Sequence, residues 1–552
     1  MARLFSSVVR NGSLLLLSAG VLAFSACGDD DDDDDTDTGP TPMRDMGPPD
    51  PDTGPDPDRD MGPGPVDGGP DLEPLACDVV VIGGGAGGLH TAFRLAPELG
   101  EDVCLFERES ELGGRIHDVP MDPSNPESPR VGTGARRVME GQQVLFDLAT
   151  ELGIELEVAP GQADLISARG AFAFGKDALF PLYPGAPADP DADDHESFLY
   201  DTLRFSPMRA MAPSHPDFRS YIRALVGTQG FNFLHDMSRF RADFEYPLDA
   251  RGYLDYLDEE WDVCCTPSYP IGGMSTFIRG MEAAAREDGA RIFTDEPVVA
   301  LRSADEGYEI ETEEYLVSAQ RVVVAIPPVA FNHIEGDIAE QIRAEGEYQS
   351  ILEVKVATIT QWWPSSWWET VRNPDLTEDN QVWRAWTTDH CLNFIEIPLE
   401  PYAAAQHVTR TVYDDDLNCV NFWEELARTG TDAVEEEIRR GLEVLFNENG
   451  LTTPVTIPDP IRTYVQIWPA AWHWIRAGAP YTNAQVFDWA AEPIAGEEIC
   501  MVGEAYNPQR SGWSDGAYKS SINALNERFG MSIPLPSPMA SRTRRATRGQ
   551  GG

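Results

Sequence analysis

Basic residues are few in this sequence: 41 Lys and Arg residues stand against 93 Asp and Glu residues, a formal net charge of −52. Nucleic acids and anionic membrane surfaces attract clustered positive charge, so this balance argues against both as partners. The acidity favours a cationic substrate, but a need for solubility explains it equally well.

Cysteine is also scarce, with eight residues in 552, and no Cys or His residues have the spacing of a metal site. We therefore expect no metal. Cys77, Cys104 and Cys500 fall on predicted core strands, where we expect small buried thiols. If Cys27 is lipidated, seven cysteines remain, and this odd number leaves at least one free or paired between chains.

The apolar stretch near the N-terminus, from Leu14 to Phe24, is too short to cross a bilayer comfortably. It follows Arg3 and Arg10 and ends in a small-residue motif, an order typical of a secretory signal. The motif resembles the bacterial lipoprotein junction, at which Cys27 is lipidated; ordinary cleavage nearby is the alternative. We predict export to the bacterial cell envelope, with a lipid anchor and a periplasmic or surface-facing enzyme, or else secretion.

Residues 28–75 have almost nothing apolar to bury and begin with seven consecutive Asp residues, followed by repeats of Pro, Gly, Asp and Thr. Such a segment repels itself and cannot form a core, so we expect a disordered tether. Residues 534–552 are rich in Pro, Ser and Arg, and we expect a disordered basic tail. The remaining length suffices for two or three domains, or for one composite fold.

A glycine-rich turn follows the first predicted strand, Val79–Ile82, and precedes a helical pattern and a second strand that ends at Glu107. In this order Gly83 permits a tight turn, Gly85 lets the backbone approach a pyrophosphate, and Gly88 lets the helix pack on the strand. The carboxylate of Glu107 can accept both hydroxyls of an adenosine ribose. The pattern indicates dinucleotide binding at a helix N-terminus, and the alternative is an ordinary glycine-rich loop.

Two further motifs indicate which dinucleotide cofactor is bound. Glu111–Arg115 reads ELGGR directly after the second strand, and Gly503-Glu504 ends a strand shortly before Gly512–Ser521 opens the last helix. Together the three motifs resemble the FAD-dependent amine oxidase family, which includes monoamine, polyamine and L-amino-acid oxidases, and they are closest to the L-amino-acid oxidases. The resemblance covers residues 76–530.

The resemblance implies an α/β fold with a doubly wound, three-layer, Rossmann-like FAD-binding domain, a mixed-sheet substrate domain and a helical insertion. We expect residues 160–262 to be mostly helical. The predicted segments are the signal and anchor (1–27), the tether (28–75), FAD-binding segments (76–138, 271–330 and 491–533), the substrate domain with its insertion (139–270), the substrate-domain sheet (331–490) and the tail (534–552).

The resemblance also implies the contacts of the cofactor. Arg115 would neutralise the pyrophosphate, Glu504 would accept a hydroxyl of FAD, Val298 would meet the adenine through its backbone, and Trp468 would pack on the flavin. The loop 506–511 has no Cys, so FAD should be bound non-covalently. The full expected set is Gly83, Gly85, Ala86, Gly87, Gly88, Glu107, Arg108, Gly114, Arg115, Gly134, Ala135, Arg136, Arg137, Val298, Trp468, Glu504, Gly512, Trp513, Ser514, Asp515, Gly516 and Ala517.

Substrate contacts follow from the same resemblance. Arg137 matches the Arg that forks onto a substrate carboxylate, a task that suits a planar guanidinium, although Arg136 could take that role. Tyr413 is the candidate for a hydroxyl that donates to the same carboxylate, or else a structural Tyr. Trp513, with Gly512, would form one wall of an aromatic slot that orients the amine.

Lys355 is the second expected catalytic residue beside Trp513. The resemblance implies that it holds a water against flavin N5, and the alternative is an outward-facing Lys on an amphipathic strand. His235 on an apolar helix is more often structural than catalytic, and His117 has no assigned role. The resemblance leaves a homodimer open.

The function implied is oxidation of an L-α-amino acid or related amine: hydride passes to flavin N5, O2 becomes H2O2, and the imine hydrolyses to a keto acid and ammonia. A polyamine or aryl-amine oxidase, a desaturase or an isomerase of the same fold is the alternative, with Arg137 as the discriminating residue. A non-catalytic, surface-anchored binding protein is a more distant alternative.

Overall fold

The computed structural model describes residues 72–535, apart from 123, 126–127, 129, 159–162, 261–266, 372–381 and 398–406. The predicted signal, the lipidation site at Cys27, nearly all of the tether and the tail from 536 onward lie outside the described residues. The predicted tether boundary at 75 is wrong by a few residues, because the first strand begins at Glu73, which pairs with Tyr315.

Strands and helices alternate along the described chain. The strands are β1 (Glu73–Ile82), β2 (Val103–Phe106), β3 (Asp118–Pro120), β4 (Arg130–Gly132), β5 (Val138–Met139), β6 (Leu156–Val158), β7 (Ala163–Ala168), β8 (Ala171–Phe174), β9 (Pro267–Pro270), β10 (Arg291–Phe293), β11 (Val298–Ser303), β12 (Tyr308–Thr312), β13 (Tyr315–Val324), β14 (Ile351–Trp362), β15 (Val382–Thr387), β16 (Phe394–Glu396), β17 (Val408–Asp414), β18 (Arg462–Ile475) and β19 (Ile499–Met501). The α-helices are α1 (Ala86–Leu99), α2 (Gln143–Leu152), α3 (His195–Arg204), α4 (Phe218–Met237), α5 (Ala242–Glu245), α6 (Ala250–Glu260), α7 (Ser275–Glu287), α8 (Pro328–Phe331), α9 (Asp337–Ala344), α10 (Gly346–Gln349), α11 (Leu417–Thr429), α12 (Thr431–Asn447), α13 (Asn483–Ala490) and α14 (Ser514–Phe529).

The first large sheet confirms the predicted doubly wound domain. Within the described residues its order is β10-β2-β1-β13-β12-β11, with β19 also paired to β13. Strands β10, β2, β1, β13 and β19 run parallel, and Val79–Ile82 are buried, as expected of a strand with helices on both faces. One face packs on α1, α7 and α14, and the other packs on α8, α9 and α13.

The second large sheet belongs to the substrate side and has the order β18-β14-β17-β16-β15-β7-β8. Its long strand β14 pairs antiparallel with both β17 and β18. One face packs on α11 and α12, and the other packs on the helical insertion α3 to α6. The expectation that 160–262 is mostly helical is wrong at its start, because β7 and β8 extend this sheet.

Two disulfides correct the prediction for the cysteines. Cys77 and Cys104 are joined, since β1 and β2 lie side by side, and are not free thiols. A second disulfide joins Cys391 to Cys419. Cys500 is a buried free thiol, as predicted. No helix in the described part of the chain is both long enough and apolar enough to cross a membrane.

Candidate active site

A cavity of about 1000 Å³ lies between the two large sheets and receives side chains from both. It collects most of the site residues that the sequence predicts, although they are spread from 83 to 517. The predicted residues that line it are Gly83, Gly85, Ala86, Gly87, Glu107, Arg108, Gly114, Arg115, Gly134, Ala135, Arg136, Arg137, Val298, Tyr413, Trp468, Glu504, Gly512, Trp513, Ser514 and Ala517. Four predicted residues do not line it: Gly88, Lys355, Asp515 and Gly516.

The glycine turn between β1 and α1 forms one end of the cavity. Gly83 has φ +103°, a conformation that favours glycine, and a Cβ on Gly88 would lie 2.1 Å from the Gly83 carbonyl oxygen. Gly88 therefore sets the close packing of helix on strand and has no need to face the cavity. A Cβ on Gly85 would meet nothing closer than 3.9 Å, so the space beside it is open to a ligand.

Two helices point uncapped N-termini toward the cavity. Helix α1 begins at Ala86 and α14 begins at Ser514, and neither has a side-chain cap. The free N–H groups and the positive end of the helix dipole together attract anionic or electron-rich groups. Gly516 and Asp515 lie on the far side of the α14 start, where Asp515 pairs with Lys519 at 3.1 Å.

Glu107 stands at the end of β2, with 8% of its surface exposed. Its Oε2 accepts a hydrogen bond from the Gly84 amide at 2.7 Å, and its Oε1 accepts one from the Glu109 amide at 3.0 Å. Burial raises the pKa of this carboxyl, against the opposing effect of the two amides. The amides fix the carboxyl at the cavity wall, where a ribose diol would meet it.

Glu504 lines the cavity and is held in place by four hydrogen-bond donors. It accepts hydrogen bonds from the backbone and ring of His473 at 3.0 and 2.8 Å, from the Gly512 amide at 3.0 Å, and from Arg115 Nη1 at 2.5 Å. Burial by itself would raise the pKa of Glu504, but His473, Arg115 and the Gly512 amide lower it to about 2. Glu504 is therefore an ionised acceptor at neutral pH.

The turn at Gly134 is packed tightly beside Trp468. A Cβ on Gly134 would lie 2.0 Å from the Arg115 carbonyl oxygen and 3.3 Å from the Trp468 ring. The Ala135 amide donates to the same carbonyl at 3.0 Å. The backbone of this turn thus forms part of the wall that the resemblance assigns to the flavin.

An arginine cluster lies at another part of the wall. Arg136 and Arg410 both form buried ion pairs with Glu396, and Arg137 Nη1 lies 3.5 Å from Glu396 Oε1. Burial opposes ionisation of Glu396, yet these guanidinium groups and that of Arg239 lower its pKa to about 2. One carboxylate thus balances several guanidinium groups, and positive charge is left over at the cavity.

Aromatic rings line the cavity next to these arginines. The Tyr413 and Trp472 rings stack nearly parallel, 6.5 Å apart, and Phe240 meets both edge-on. The Arg410 guanidinium lies 4.8 Å from the Tyr413 ring centroid, and the Arg137 guanidinium lies 5.9 Å from that of Trp513. Of the predicted substrate contacts, Arg137 therefore lies against Trp513, and Tyr413 lines the same cavity.

Lys355 does not reach the cavity, contrary to the prediction for this residue. Along β14 the side chains alternate: Val356 and Thr358 line the cavity, whereas Lys355 lies on the face that packs on α11. There its Nζ pairs with Glu424 and donates to Asn421 at 3.2 Å. Lys355 is thus an outward-facing Lys on an amphipathic strand, which was the alternative to a role at the flavin.

The two histidines considered in the sequence analysis, His117 and His235, lie in different places. His117 lines the cavity, and its Nε2 lies 3.3 Å from the Tyr464 hydroxyl. His235 does not line it and instead contacts Asp236 and Glu245 at 2.8 and 3.1 Å. Sequence reasoning missed Arg410, whose only signal was its place three residues before Tyr413. It also missed the wall residues Phe240, Asp243 and Trp472, and Glu396, the buried partner of the arginines.

The residues present fit FAD. Open space beside Gly85, two uncapped helix N-termini and a fixed carboxyl at Glu107 offer the donors, acceptor and room that a dinucleotide requires. The fold and the cavity together define a flavoprotein oxidoreductase with a substrate domain on a second sheet.

Comparisons with known proteins also indicate a flavoprotein oxidoreductase. The model of the family "Flavin containing amine oxidoreductase" matches residues 86–525. The chain belongs to this family, and its cofactor is FAD.

Solved structures of putrescine oxidase share the fold. A redesigned variant has a TM-score of 0.61 at 16% identity, and the wild type bound to putrescine has 0.60 at 15%. Each match covers 83% of this chain and 100% of the other. A bilirubin reductase of Mediterraneibacter gnavus (strain CC55_001C) is 34% identical over 93 residues, only 17% of this chain and 14% of that protein.

Proposed function

We propose that the protein oxidises L-α-amino acids. The observation that carries this proposal is the surplus of positive charge at Arg137 and Arg410, which line the cavity and share the single carboxylate of Glu396. A substrate carboxylate placed between them would balance that charge and could pair bidentately with a guanidinium. A simple amine or diamine offers no group to do so.

The chain's own residues act by binding and orientation. Arg137 and Arg410 hold the carboxylate, and the Tyr413 hydroxyl lies in the same wall as a further donor. Burial raises the pKa of Tyr413 well above its usual value, which keeps this hydroxyl protonated. Trp472 and Trp513 confine the carbon that carries the amine.

Bound FAD supplies the hydride acceptor, and O2 takes the electrons on to give H2O2. The uncapped N-terminus of α14 would stabilise negative charge on the reduced flavin. Glu504, fixed and ionised, would accept a hydrogen bond from a hydroxyl of the cofactor. The imine product hydrolyses in water to a keto acid and ammonia.

The second candidate keeps the fold and changes the substrate to a polyamine or aryl amine. The likeness to putrescine oxidase favours this candidate at the level of fold alone, whereas Arg137 and Arg410 speak for a carboxylate. A desaturase, an isomerase or a non-catalytic binding protein has no comparable support in the cavity.

Matched substrate pairs test the proposal. The purified holoenzyme is assayed for H2O2 with L-amino acids and their decarboxylated amines, such as L-phenylalanine with phenethylamine and L-ornithine with putrescine. We expect kcat/KM to favour the amino acid in each pair. Oxidation of the amines alone would contradict the proposal and support the second candidate.

We further propose that the enzyme is exported and lipid-anchored at Cys27. Support comes from the signal-like N-terminus and from two disulfides in the described chain, a feature typical of oxidising compartments. Cys27→Ala in the full chain should move the protein from the membrane fraction to the soluble fraction. An unchanged distribution would contradict anchoring.

A further inference from the structure

Asp243 is a buried carboxyl in the cavity wall that the proposed chemistry does not use. It lies on the short helix α5, is 7% exposed, and faces the cavity. Its Oδ2 accepts a hydrogen bond from the Tyr253 hydroxyl at 2.8 Å. None of the described Lys, Arg or His residues forms an ion pair with it. The carboxyl is therefore fixed in place but lacks a counter-charge.

Two further carboxyls lie near Asp243, and burial raises the pKa of both. Asp414 and Asp415 are fully buried nearby and share Arg241: its Nη2 lies 3.5 Å from Asp414 Oδ1, and its backbone N–H donates to Asp415 at 2.9 Å. Within the described residues, the Arg241 guanidinium pairs with Asp414 and not with Asp243. Burial raises the pKa of Asp243 to about 7, the cost of a carboxylate without a cation.

Asp243 and the arginines Arg136, Arg137 and Arg410 line the same cavity. Phe240, three residues before Asp243, packs edge-on against Tyr413, and Arg410 stacks over that same ring. Beyond the effect of burial, Asp243 raises the pKa of the Tyr413 hydroxyl while Arg410 and Arg137 lower it. The cavity wall therefore carries guanidinium groups at one part and a carboxyl at another, with aromatic rings beside them.

We propose that Asp243 binds the side-chain cation of a basic L-amino acid, with lysine, ornithine and arginine as the substrate class. This proposal rests on the proposed function, since the carboxylate of the same molecule would occupy Arg137 and Arg410. A neutral amino acid pairs with the arginines and leaves Asp243 buried without a counter-charge. A basic amino acid supplies a carboxylate for the arginines and a cation for Asp243, so Asp243 determines the preference for basic over neutral side chains.

The test compares L-lysine with L-norleucine, which lacks the side-chain ammonium group. The holoenzyme, Asp243→Asn and the control Asp415→Asn are assayed for kcat/KM on both substrates. Asp415 is also buried and acidic but does not line the cavity. We expect the wild type to prefer lysine, D243N to lose about 100-fold on lysine with little change on norleucine, and D415N to keep the wild-type ratio. A ratio cancels any general loss of folded enzyme.

A binding readout accompanies the kinetics. Perturbation of the flavin spectrum is titrated with 6-aminohexanoate and with hexanoate, which share the carboxylate and differ in the ammonium group. Wild type should bind the amino compound more tightly, and D243N should bind both alike. Equal losses on lysine and norleucine, or a wild-type preference for norleucine, would overturn the role of Asp243 while amino-acid oxidation stands. Turnover of amines but of no amino acid would instead overturn the proposed function.

Discussion

Arg115 and Glu504 are 389 residues apart in the chain, yet Arg115 Nη1 donates to Glu504 Oε2 at 2.5 Å. The contact joins the motif Glu111–Arg115 to the motif Gly503-Glu504. Arg115 Nη1 also donates to the Ala471 carbonyl at 2.9 Å. Because Glu504 is almost fully buried, its charge depends on these donors. This part of the cofactor site therefore forms only when the first and last FAD-binding segments of the chain have come together.

Glu504→Gln should weaken FAD binding. The amide keeps the shape but loses the ionised acceptor, and a buried charge-assisted hydrogen bond contributes about 1.5–3 kcal/mol, so we expect the Kd to rise about 10- to 100-fold. Release of FAD on dilution measures the change. Glu498→Gln, on an exposed residue just before β19, is the control and should leave the Kd as it is. Equal Kd values for E504Q and wild type would contradict the assignment.

Gly85→Ala and Gly88→Ala should fail in different ways. Gly85 has φ −70° and open space at its Cβ position, so G85A should fold normally but bind FAD poorly. In G88A the new methyl group would overlap the Gly83 carbonyl, which should cost about 1–3 kcal/mol of unfolding free energy. Urea unfolding of the apoprotein and flavin titration separate the two effects. A G85A variant that binds FAD like the wild type would refute the pyrophosphate assignment.

Arg137→Ala should raise KM for L-amino acids far more than for the matching amines. A guanidinium–carboxylate interaction contributes about 1.5–3 kcal/mol, so the ratio of the two kcat/KM values should fall about 10- to 100-fold. Steady-state peroxide assays on both substrates give the ratio. Arg94→Ala is the control, since Arg94 pairs with Glu151 and does not line the cavity. Equal losses on both substrates would contradict carboxylate binding.

Lys355→Met should leave flavin reoxidation nearly unchanged. The ion pair with Glu424 is partly exposed, and such pairs contribute about 0–1 kcal/mol. Stopped-flow mixing of the reduced enzyme with O2 measures the reoxidation rate. A large drop in that rate would show that Lys355 acts at the flavin after all, against the position found here.

Glu396 should make stability depend on acid pH. Its pKa falls from 4.5 to about 2 on folding, so its contribution is complete above pH 4.5 and is lost as pH falls toward 2. The contribution amounts to about 3 kcal/mol. The unfolding free energy of wild type should therefore fall more steeply with pH in this window than that of Glu396→Gln. Parallel curves would contradict the low pKa.

The glycine turns were predictable because their signal is local. The tight turn requires Gly83, and the contact of helix α1 with that turn requires Gly88. Both features form within a few residues of each other, so the sequence motif alone predicts them. The same holds for Gly503-Glu504, where a strand ends and a helix follows. The FAD-binding part of the site can therefore be predicted from short sequence motifs.

The arginine cluster around Glu396 was not predictable because it depends on the register between strands. Glu396 faces Arg410 only because β16 pairs with β17 at these two residues. Lys355 was misplaced for a related reason: the resemblance names a strand, but a shift by one residue turns a side chain to the other face. Cys77 and Cys104 likewise became partners only through the pairing of β1 with β2.

Anaerobic mixing of the holoenzyme with substrate is the most direct test of the central claim, that an FAD site here accepts hydride from an amino acid whose carboxylate is held by arginine. We predict that L-amino acids, and L-lysine above all, bleach the visible absorbance of the bound flavin rapidly, whereas the decarboxylated amines bleach it slowly. Flavin that is bleached by amines and stays yellow with every L-amino acid would contradict the account.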